Sequence, residues 1–259
     1  MLRSLKTLRG FDIVATDGSI GDVYDFLFDD HDWTLRYVVV DTGKWLPGRK
    51  VVLSPTVVAQ PDIDRKNLPV SLTRERIKEG PALEFHKPVS RQHEEQVSQH
   101  YDWPKYWEIY PAGMAAAPAM PGIDPVRAIE GRPVSEVRPE RRPEGEIQGD
   151  PNLRSMREVE GYRISANDDE FGHVEDFLVD DEDWRIRYLV VDTRNWLPGR
   201  KVLIAQSWES EVNWADALVH IELNKEDIKA SPEFDPDSEV NREYETTLFE
   251  HYRQPVYWP

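Results

Sequence analysis

The strongest fold signal in this chain is the segment from Gly21 to Val51, which reads GDVYDFLFDDHDWTLRYVVVDTGKWLPGRKV. It occurs again from Gly172 to Val202 as GHVEDFLVDDEDWRIRYLVVDTRNWLPGRKV, with 22 of 31 positions identical and no gap. The constant offset of 151 continues as far as Tyr106-Trp107, which recurs as Tyr257-Trp258. The repeated unit is about 107 residues long, whereas the units of stacked repeat proteins are roughly 20 to 50 residues, so each copy is a whole domain.

Within each copy the pattern predicts short β-strands joined by tight turns. Asp17-Gly18 supplies the positive φ angle that a tight hairpin needs, and Leu35 to Val40 is rich in β-branched and aromatic residues. Asp29 to Asp32 is typical of a polar turn between two strands. In the first copy the predicted strands span residues 11–16, 20–28, 34–41, 49–53, 57–59 and 68–72.

After the strands the hydrophobic period changes to that of a helix. Thr73 and Asn224 resemble N-caps of a short helix, and residues 90–101 and 240–252 show the amphipathic pattern of a longer one. The expected fold class is therefore mainly β, with two small antiparallel β-barrels, each followed by one or two helices.

The repeat divides the chain into three predicted segments. Residues 1–110 form the first barrel with its C-terminal helix, residues 111–151 form a linker, and residues 152–259 form the second barrel with its helix. The linker holds eight of the twenty prolines and interleaved charges of both signs, which predicts an extended, semi-rigid spacer.

Composition limits the classes of function. The 259 residues carry a formal net charge of −17, which argues against binding to nucleic acid because phosphate backbones repel an acidic surface. There are no cysteines, so disulfides, thiolate metal sites and a cysteine nucleophile are excluded. No apolar run approaches the roughly 20 residues of a membrane-spanning helix, and we expect a cytoplasmic protein without an integral membrane segment.

Three motifs together resemble the PRC-barrel family. They are Gly21-x-Val-x-Asp-Phe-Leu27, Arg36-Tyr-Val-Val-Val-Asp-Thr42 and Trp45-Leu-Pro-Gly-Arg-Lys50, and each is found in both copies with few changes. The resemblance covers roughly residues 3 to 80 and 154 to 231. It implies a small β-barrel that docks onto larger partners, as in the cytoplasmic domain of the photosynthetic reaction centre H subunit, and it transfers no catalytic residue.

One fully identical block is a candidate for binding a protein partner. Pro followed by Gly suits a type II turn, so the structural interpretation is a β-turn whose arginine pairs with a neighbour such as Asp41. The alternative is a recognition loop, because Trp, Leu and Arg are types enriched in interface anchors. The candidate residues are Trp45, Leu46, Arg49, Lys50, Trp196, Leu197, Arg200 and Lys201.

The acidic turns are a second candidate site, for a metal ion. Their carboxylates are Asp29, Asp30 and Asp32 in the first copy and Asp180, Asp181 and Asp183 in the second. Their spacing is not that of an EF-hand loop, and solvated aspartates are ordinary in turns, so the structural interpretation is a polar turn.

Histidines give little support for catalysis. Only His100 and His251 correspond at the offset of 151, and one histidine per helix is more typical of a packed or capping residue than of a general base.

The sequence therefore predicts a non-enzymatic scaffold or adaptor that uses no cofactor and binds another protein through repeated barrel loops. The first alternative is a soluble accessory of a photosynthetic reaction centre or electron-transport complex. The second is a metal-binding module or metal-assisted enzyme that uses the acidic turns. The two barrels are expected either to pair within the chain as a pseudo-dimer or to form a homo-oligomer.

Overall fold

A computed structural model describes residues 1–43, 45–82, 91–109, 152–193 and 200–258. Backbone contacts divide the chain into two units, one formed by Met1–Phe85 with Pro151–Pro259 and the other by His86–Asp150. The barrel-forming parts of both copies therefore lie in one compact unit. The predicted linker, residues 111–151, lies outside the described residues, and the three predicted segment boundaries stay predictions.

The first copy folds largely as its pattern predicts. Its strands are β1 (Leu2–Ser4), β2 (Asp12–Ala15), β3 (Gly18–Asp29), β4 (Thr34–Asp41), β5 (Lys50–Leu53) and β6 (Asn67–Pro69), and its helices are α1 (Leu5–Leu8) and α2 (Arg74–Glu79). The Thr73 side chain caps α2 by accepting a hydrogen bond from the Arg76 amide, as predicted. Val57 was expected to begin a strand, but it ends a 3₁₀ turn that Ser54 caps and Pro55 opens, and Val58 makes only an isolated bridge.

The unit from His86 to Asp150 contains two described helices, α3 (Arg91–Tyr101) and α4 (Tyr106–Ile109). The Tyr106 hydroxyl donates a hydrogen bond of 2.7 Å to the Glu94 carboxylate, and Tyr101 stacks on Trp103 with ring centroids 4.3 Å apart.

The second copy repeats these elements. Its strands are β7 (Leu153–Ser155), β8 (Arg163–Ser165), β9 (Glu170–Asp180), β10 (Ile186–Asp192), β11 (Lys201–Ala205), β12 (Glu209–Asn213) and β13 (Leu218–Ile221), and its helices are α5 (Met156–Val159), α6 (Lys225–Ala230) and α7 (Arg242–Tyr252). At its C-terminal end Trp258 packs against Phe249 of α7 at 5.3 Å, and Tyr257 donates to Glu245, so the tail covers its own helix.

The strands form two sheets that have the same strand order, except that the second sheet has one further strand, β12, at its end. The order is β5-β4-β3-β2-β6 in the first sheet and β11-β10-β9-β8-β13-β12 in the second. Most neighbours are antiparallel, but β2 pairs with β6 and β8 pairs with β13 in parallel. The fold is mainly β with two barrel repeats, as predicted from the sequence, although the barrels are not wholly antiparallel.

Each sheet is completed by a strand of the other copy. Strand β1 of the first copy pairs with β9, in the register Leu2 opposite Asp180 and Ser4 opposite Leu178. Strand β7 of the second copy pairs with β3 in the equivalent register, Leu153 opposite Asp29 and Ser155 opposite Leu27. The exchange is reciprocal and obeys the offset of 151, so the copies are related by a pseudo-twofold axis and form the pseudo-dimer that the sequence left as one of two options.

A second pair of backbone contacts joins the copies at the turns. The Leu35 amide donates to the Trp184 carbonyl at 2.9 Å, and the Ile186 amide donates to the Trp33 carbonyl at 2.8 Å. Beside these bonds Phe28 of one copy lies 5.8 Å from Phe177 of the other, and both rings are fully buried. Burial of one such ring stabilises the folded state by roughly 2 to 3 kcal/mol, so the junction is part of the hydrophobic core. No helix among the described residues is long and apolar enough to cross a membrane.

Candidate functional site

Two buried aspartates hold the exchanged strands in place. The carboxylate of Asp176 accepts hydrogen bonds from the Ser4 hydroxyl at 2.5 Å and the Lys6 amide at 2.9 Å. Its counterpart Asp25 accepts from the Ser155 hydroxyl at 2.5 Å and the Arg157 amide at 3.3 Å. Burial raises the pKa of both carboxyls, and the hydroxyl and amide donors act in the opposite direction. These aspartates recur because the junction needs them.

Cations surround a second pair of equivalent positions, which hold different residues. Glu175 lies between Lys6 and Lys201, each with its ammonium 2.9 Å from the carboxylate. Burial opposes ionisation of Glu175, but the two lysines outweigh it and lower the pKa of the carboxyl. In the first copy the same position is Tyr24, and its ring is covered by Lys50 at 3.6 Å and by Arg157 at 4.5 Å. Lys50 and Lys201, both candidates for partner binding, therefore make contacts within the chain.

The acidic turns have arginine partners. Asp30 accepts from Arg154 Nε at 2.8 Å, and its counterpart Asp181 accepts from Arg3 Nε at 2.9 Å, so each of these ion pairs joins the two copies. Burial opposes ionisation of Asp181, but its cationic donors outweigh it and lower the pKa of the carboxyl.

The remaining carboxylates of these turns bind arginines of their own copy and turn amides. Arg36 contacts Asp32 at 2.6 Å and Asp29 at 3.4 Å, and Arg187 contacts Asp183 and Asp180 in the equivalent way. The carboxylates of Asp29, Asp32, Asp180 and Asp183 also accept from backbone amides two residues ahead. Within the described ranges no group of three His, Asp or Glu side chains could hold a metal ion. The geometry supports the polar-turn interpretation over the metal site.

The Pro-Gly turn has the predicted shape. The Arg49 amide donates to the Leu46 carbonyl at 3.1 Å, and Gly48 has a φ of +75°, which is the geometry of a type II turn. Arg49 does not pair with Asp41 as proposed from the sequence: its guanidinium donates to the Gly80 carbonyl at the C-terminal end of α2. Arg200 likewise donates to the carbonyls of Ser231 and Lys229 after and within α6. Both arginines recur because they bind a helix end.

The apolar part of the same loop remains accessible. Trp45 and Leu46 are half-buried and the adjoining Pro47-Gly48 is exposed. The Arg74 guanidinium lies 5.0 Å from the centre of the Trp45 ring, which orients the indole. Trp196 and Leu197, the corresponding residues of the second copy, lie outside the described residues.

The histidine of α7 is a capping residue, as expected. A ring nitrogen of His251 lies 2.7 Å from the Asp227 carbonyl in α6. His100, in the other unit, packs edge-on against Tyr101 at 4.6 Å.

Sequence reasoning missed a pocket of about 300 Å³ at the junction of the copies, which is open to solvent and is called the cavity below. Asp30 and His31 of the first copy line it together with Arg154, Glu209 and Trp214 of the second. Burial, assisted by the charge of Asp30, raises the pKa of Glu209 to about 7, although the Trp33 indole donates to this carboxyl. The available signal was a mismatch between copies: at the offset of 151, Glu209 corresponds to Val58.

Together the fold and the junction define a tandem barrel protein in which each copy contributes one strand to the sheet of the other. The family model described as PRC-barrel domain matches residues 2–77 and again residues 152–219, which is more than half of the chain. The chain belongs to the PRC-barrel domain family, as its motifs suggested. Comparison with the curated proteins found no match.

Proposed function

We propose that this protein is a non-enzymatic, cytoplasmic adaptor that binds another protein through the Trp45-Leu46 loop and its repeat, Trp196-Leu197. The observation that carries the proposal is that the basic residues of the loop bind within the chain, whereas its apolar residues stay partly exposed. Arg49 binds the end of α2 and Lys50 covers Tyr24, whereas Trp45 and Leu46 lie half-buried beside an exposed turn. Partly exposed Trp and Leu on a fixed turn have the chemistry of an interface anchor.

The junction supports an adaptor because it fixes the spacing of its two halves. Exchanged strands, buried aspartates and inter-copy ion pairs hold the barrels in one unit. A partner that contacts both copies of the loop sequence is held at two points, which raises the affinity above that of either contact alone. The net charge of −17 favours a partner surface that carries basic residues.

The experiment compares the full chain with Trp45→Ala/Trp196→Ala as immobilised bait in extract of the native host. Ile63→Ala/Val256→Ala, which removes two exposed apolar side chains elsewhere, is the matched control. We expect the wild type and the control to capture the same protein and the loop variant to capture about tenfold less, which corresponds to about 1.4 kcal/mol. Equal capture by all three would refute the proposal.

The thermal unfolding midpoint of the loop variant decides how a loss of capture is interpreted. An unchanged midpoint assigns the loss to the surface. Unfolding of the variant would show that these indoles are core residues, and the loop would then have no role in recognition. No specific observation favours the reaction-centre accessory or a metal-assisted enzyme over the adaptor, and we propose neither.

A further inference from the structure

The cavity at the junction contains a carboxylate whose bonding capacity is incomplete. Glu209 Oε2 is buried and makes no hydrogen bond, while the Trp33 indole donates to the carboxyl group. A buried acceptor without a hydrogen bond destabilises the folded protein. The terminal torsion of a Glu side chain is soft, so a small rotation can turn this oxygen towards the space that the side chain lines.

The fold does not require this carboxyl group. At the equivalent position the first copy has Val58, and in place of Trp214 it has Ile63, which is 42% exposed. The ion pair of Asp30 with Arg154, in contrast, recurs as Asp181 with Arg3. Framework contacts are thus present on both sides of the pseudo-twofold axis, whereas Glu209 and Trp214 are present on one side.

The charges of the cavity favour a cation. Arg154 is already balanced by Asp30 at 2.8 Å, and its guanidinium lies 4.2 Å from the centre of the Trp214 ring. Among the described residues that line the cavity, Arg154 is the one with a permanent positive charge, and its ion-pair partner is Asp30 rather than Glu209. Val212 and Trp214 supply apolar surface beside it.

We propose that this cavity binds an alkylammonium group, which donates hydrogen bonds to Glu209 while its apolar stem packs on Val212 and Trp214. The group is either a small free amine or the lysine side chain of a bound protein. The site is separate from the Trp45 loop and does not depend on the adaptor proposal.

Binding at this site is coupled to pH. An ammonium ion binds the ionised form of Glu209, so its affinity rises as pH rises through about 7 and binding releases a proton from the protonated form. The other charged or titratable groups that line the cavity are Asp30, Arg154 and His31. For a group with a pKa near 7, the ionised fraction rises roughly tenfold between about pH 6 and pH 8, and the affinity is expected to rise by the same factor.

The test titrates the full ¹⁵N-labelled chain with n-butylammonium chloride and follows the indole N–H signals of Trp33 and Trp214 by NMR. We expect saturable shifts of both signals, with a Kd roughly tenfold lower at pH 8 than at pH 6. Glu209→Gln should abolish the shifts, while Glu182→Gln, which changes an exposed carboxyl that does not line the cavity, should leave them unchanged. A blocked Gly-Lys-Gly peptide separates the two sources: binding of both probes indicates a site open to a protein side chain, and binding of butylammonium alone indicates a free amine.

Glu209→Val, which installs the residue found at the equivalent position, is a second variant in case Gln disturbs folding. Retained binding in either folded variant overturns the proposal, as does an absence of shifts with the wild type. Shifts produced by butanoate instead, strengthening as pH falls, would assign the cavity to an anion held by Arg154 and would also overturn it.

Discussion

Arg9 and Glu160 occupy the same position in the two copies and form an ion pair with each other, with Nη1 of Arg9 3.0 Å from the Glu160 carboxylate. Two equivalent residues can meet only close to the axis that relates them, so this pair marks the pseudo-twofold axis. Pairing of two first copies would bring Arg9 against Arg9, and pairing of two second copies would bring Glu160 against Glu160. The charges on the axis therefore favour association of unlike copies.

The axis pair can be tested by charge reversal. Arg9→Glu places two carboxylates on the axis, and because both side chains are about a quarter exposed we expect a loss of no more than about 1 kcal/mol in the free energy of unfolding. The double variant Arg9→Glu/Glu160→Arg should recover most of it. Urea unfolding of the four proteins of this cycle measures the coupling. Additive losses in the double variant would show that the pair has no specific role.

A chain shortened to residues 1–110 lacks β7 and leaves the edge of β3 without its partner. We expect it to form a homodimer in which two β1 strands are exchanged, because Ser4 and Asp25 supply the same hydrogen bond that Ser4 and Asp176 form. Arg9 would then face Arg9, so Arg9→Ser should tighten the dimer several-fold. Light scattering after gel filtration measures both. A stable folded monomer would contradict the idea that each barrel needs a donated strand.

Removal of a junction hydroxyl leaves a buried aspartate with one donor fewer. Ser4→Ala and Ser155→Ala should each lower the free energy of unfolding by about 1 to 2 kcal/mol. Ser19→Ala is the control, because its hydrogen bond to Asp12 is exposed, and it should change stability by less than about 0.5 kcal/mol. Denaturant midpoints measured at constant pH give the comparison. Equal effects of all three substitutions would mean that the buried hydroxyls are not special.

Gly21 and Gly172 recur because a neighbouring strand passes too close for a side chain. A Cβ atom would lie 2.0 Å from the Asp41 carbonyl oxygen at Gly21 and 2.5 Å from the Asp192 carbonyl oxygen at Gly172. Alanine at either position should destabilise the protein by about 2 kcal/mol or more, since backbone has to move. Gly43→Asn, in open space and with a φ that asparagine tolerates, is the control and should be nearly neutral. Thermal midpoints that fall equally for all three would contradict this reason for the recurrence.

Glu209 gives the protein a stability term that depends on pH. Its folded-state pKa of about 7 exceeds the ordinary value of 4.5, so the folded chain binds this proton more tightly than the unfolded chain does. The stabilisation that the folded chain gains from protonation of Glu209 is complete below about pH 4.5 and is lost as pH rises through 7. We expect Glu209→Gln to be more stable than the wild type at pH 8 and the difference to shrink or reverse at pH 5. A difference in urea midpoints that is the same at both values would show that Glu209 titrates normally.

The repeat made much of the fold predictable. Local sequence, present in both copies, was enough to predict several elements. These are the strand at Leu35 to Val40, the turn at Asp29 to Asp32 and the type II turn at Pro47-Gly48. The hydrogen-bond partner of the Arg49 side chain was not predictable in the same way. Its partner, the Gly80 carbonyl, lies 31 residues ahead, and such a contact follows from packing of α2 rather than from the turn.

The strand exchange could not be predicted from pattern. Leu2–Ser4 and Leu153–Ser155 are three residues each, too short to show a period of two, and nothing local decides which copy receives them. The cavity was missed for a different reason. Recurrence at the offset of 151 indicates residues that both copies share, whereas Glu209 stands out because its counterpart, Val58, is apolar.

The reciprocal exchange also has a consequence for synthesis on the ribosome. The first barrel is translated completely before residues 153–155 exist, and until they emerge its β3 edge stays open to any other extended chain nearby. Since translation proceeds at about 5 to 20 residues per second, this exposed interval lasts several seconds in each round of synthesis. Nascent chains on neighbouring ribosomes of one messenger RNA can then pair with this edge before the second copy of the same chain does.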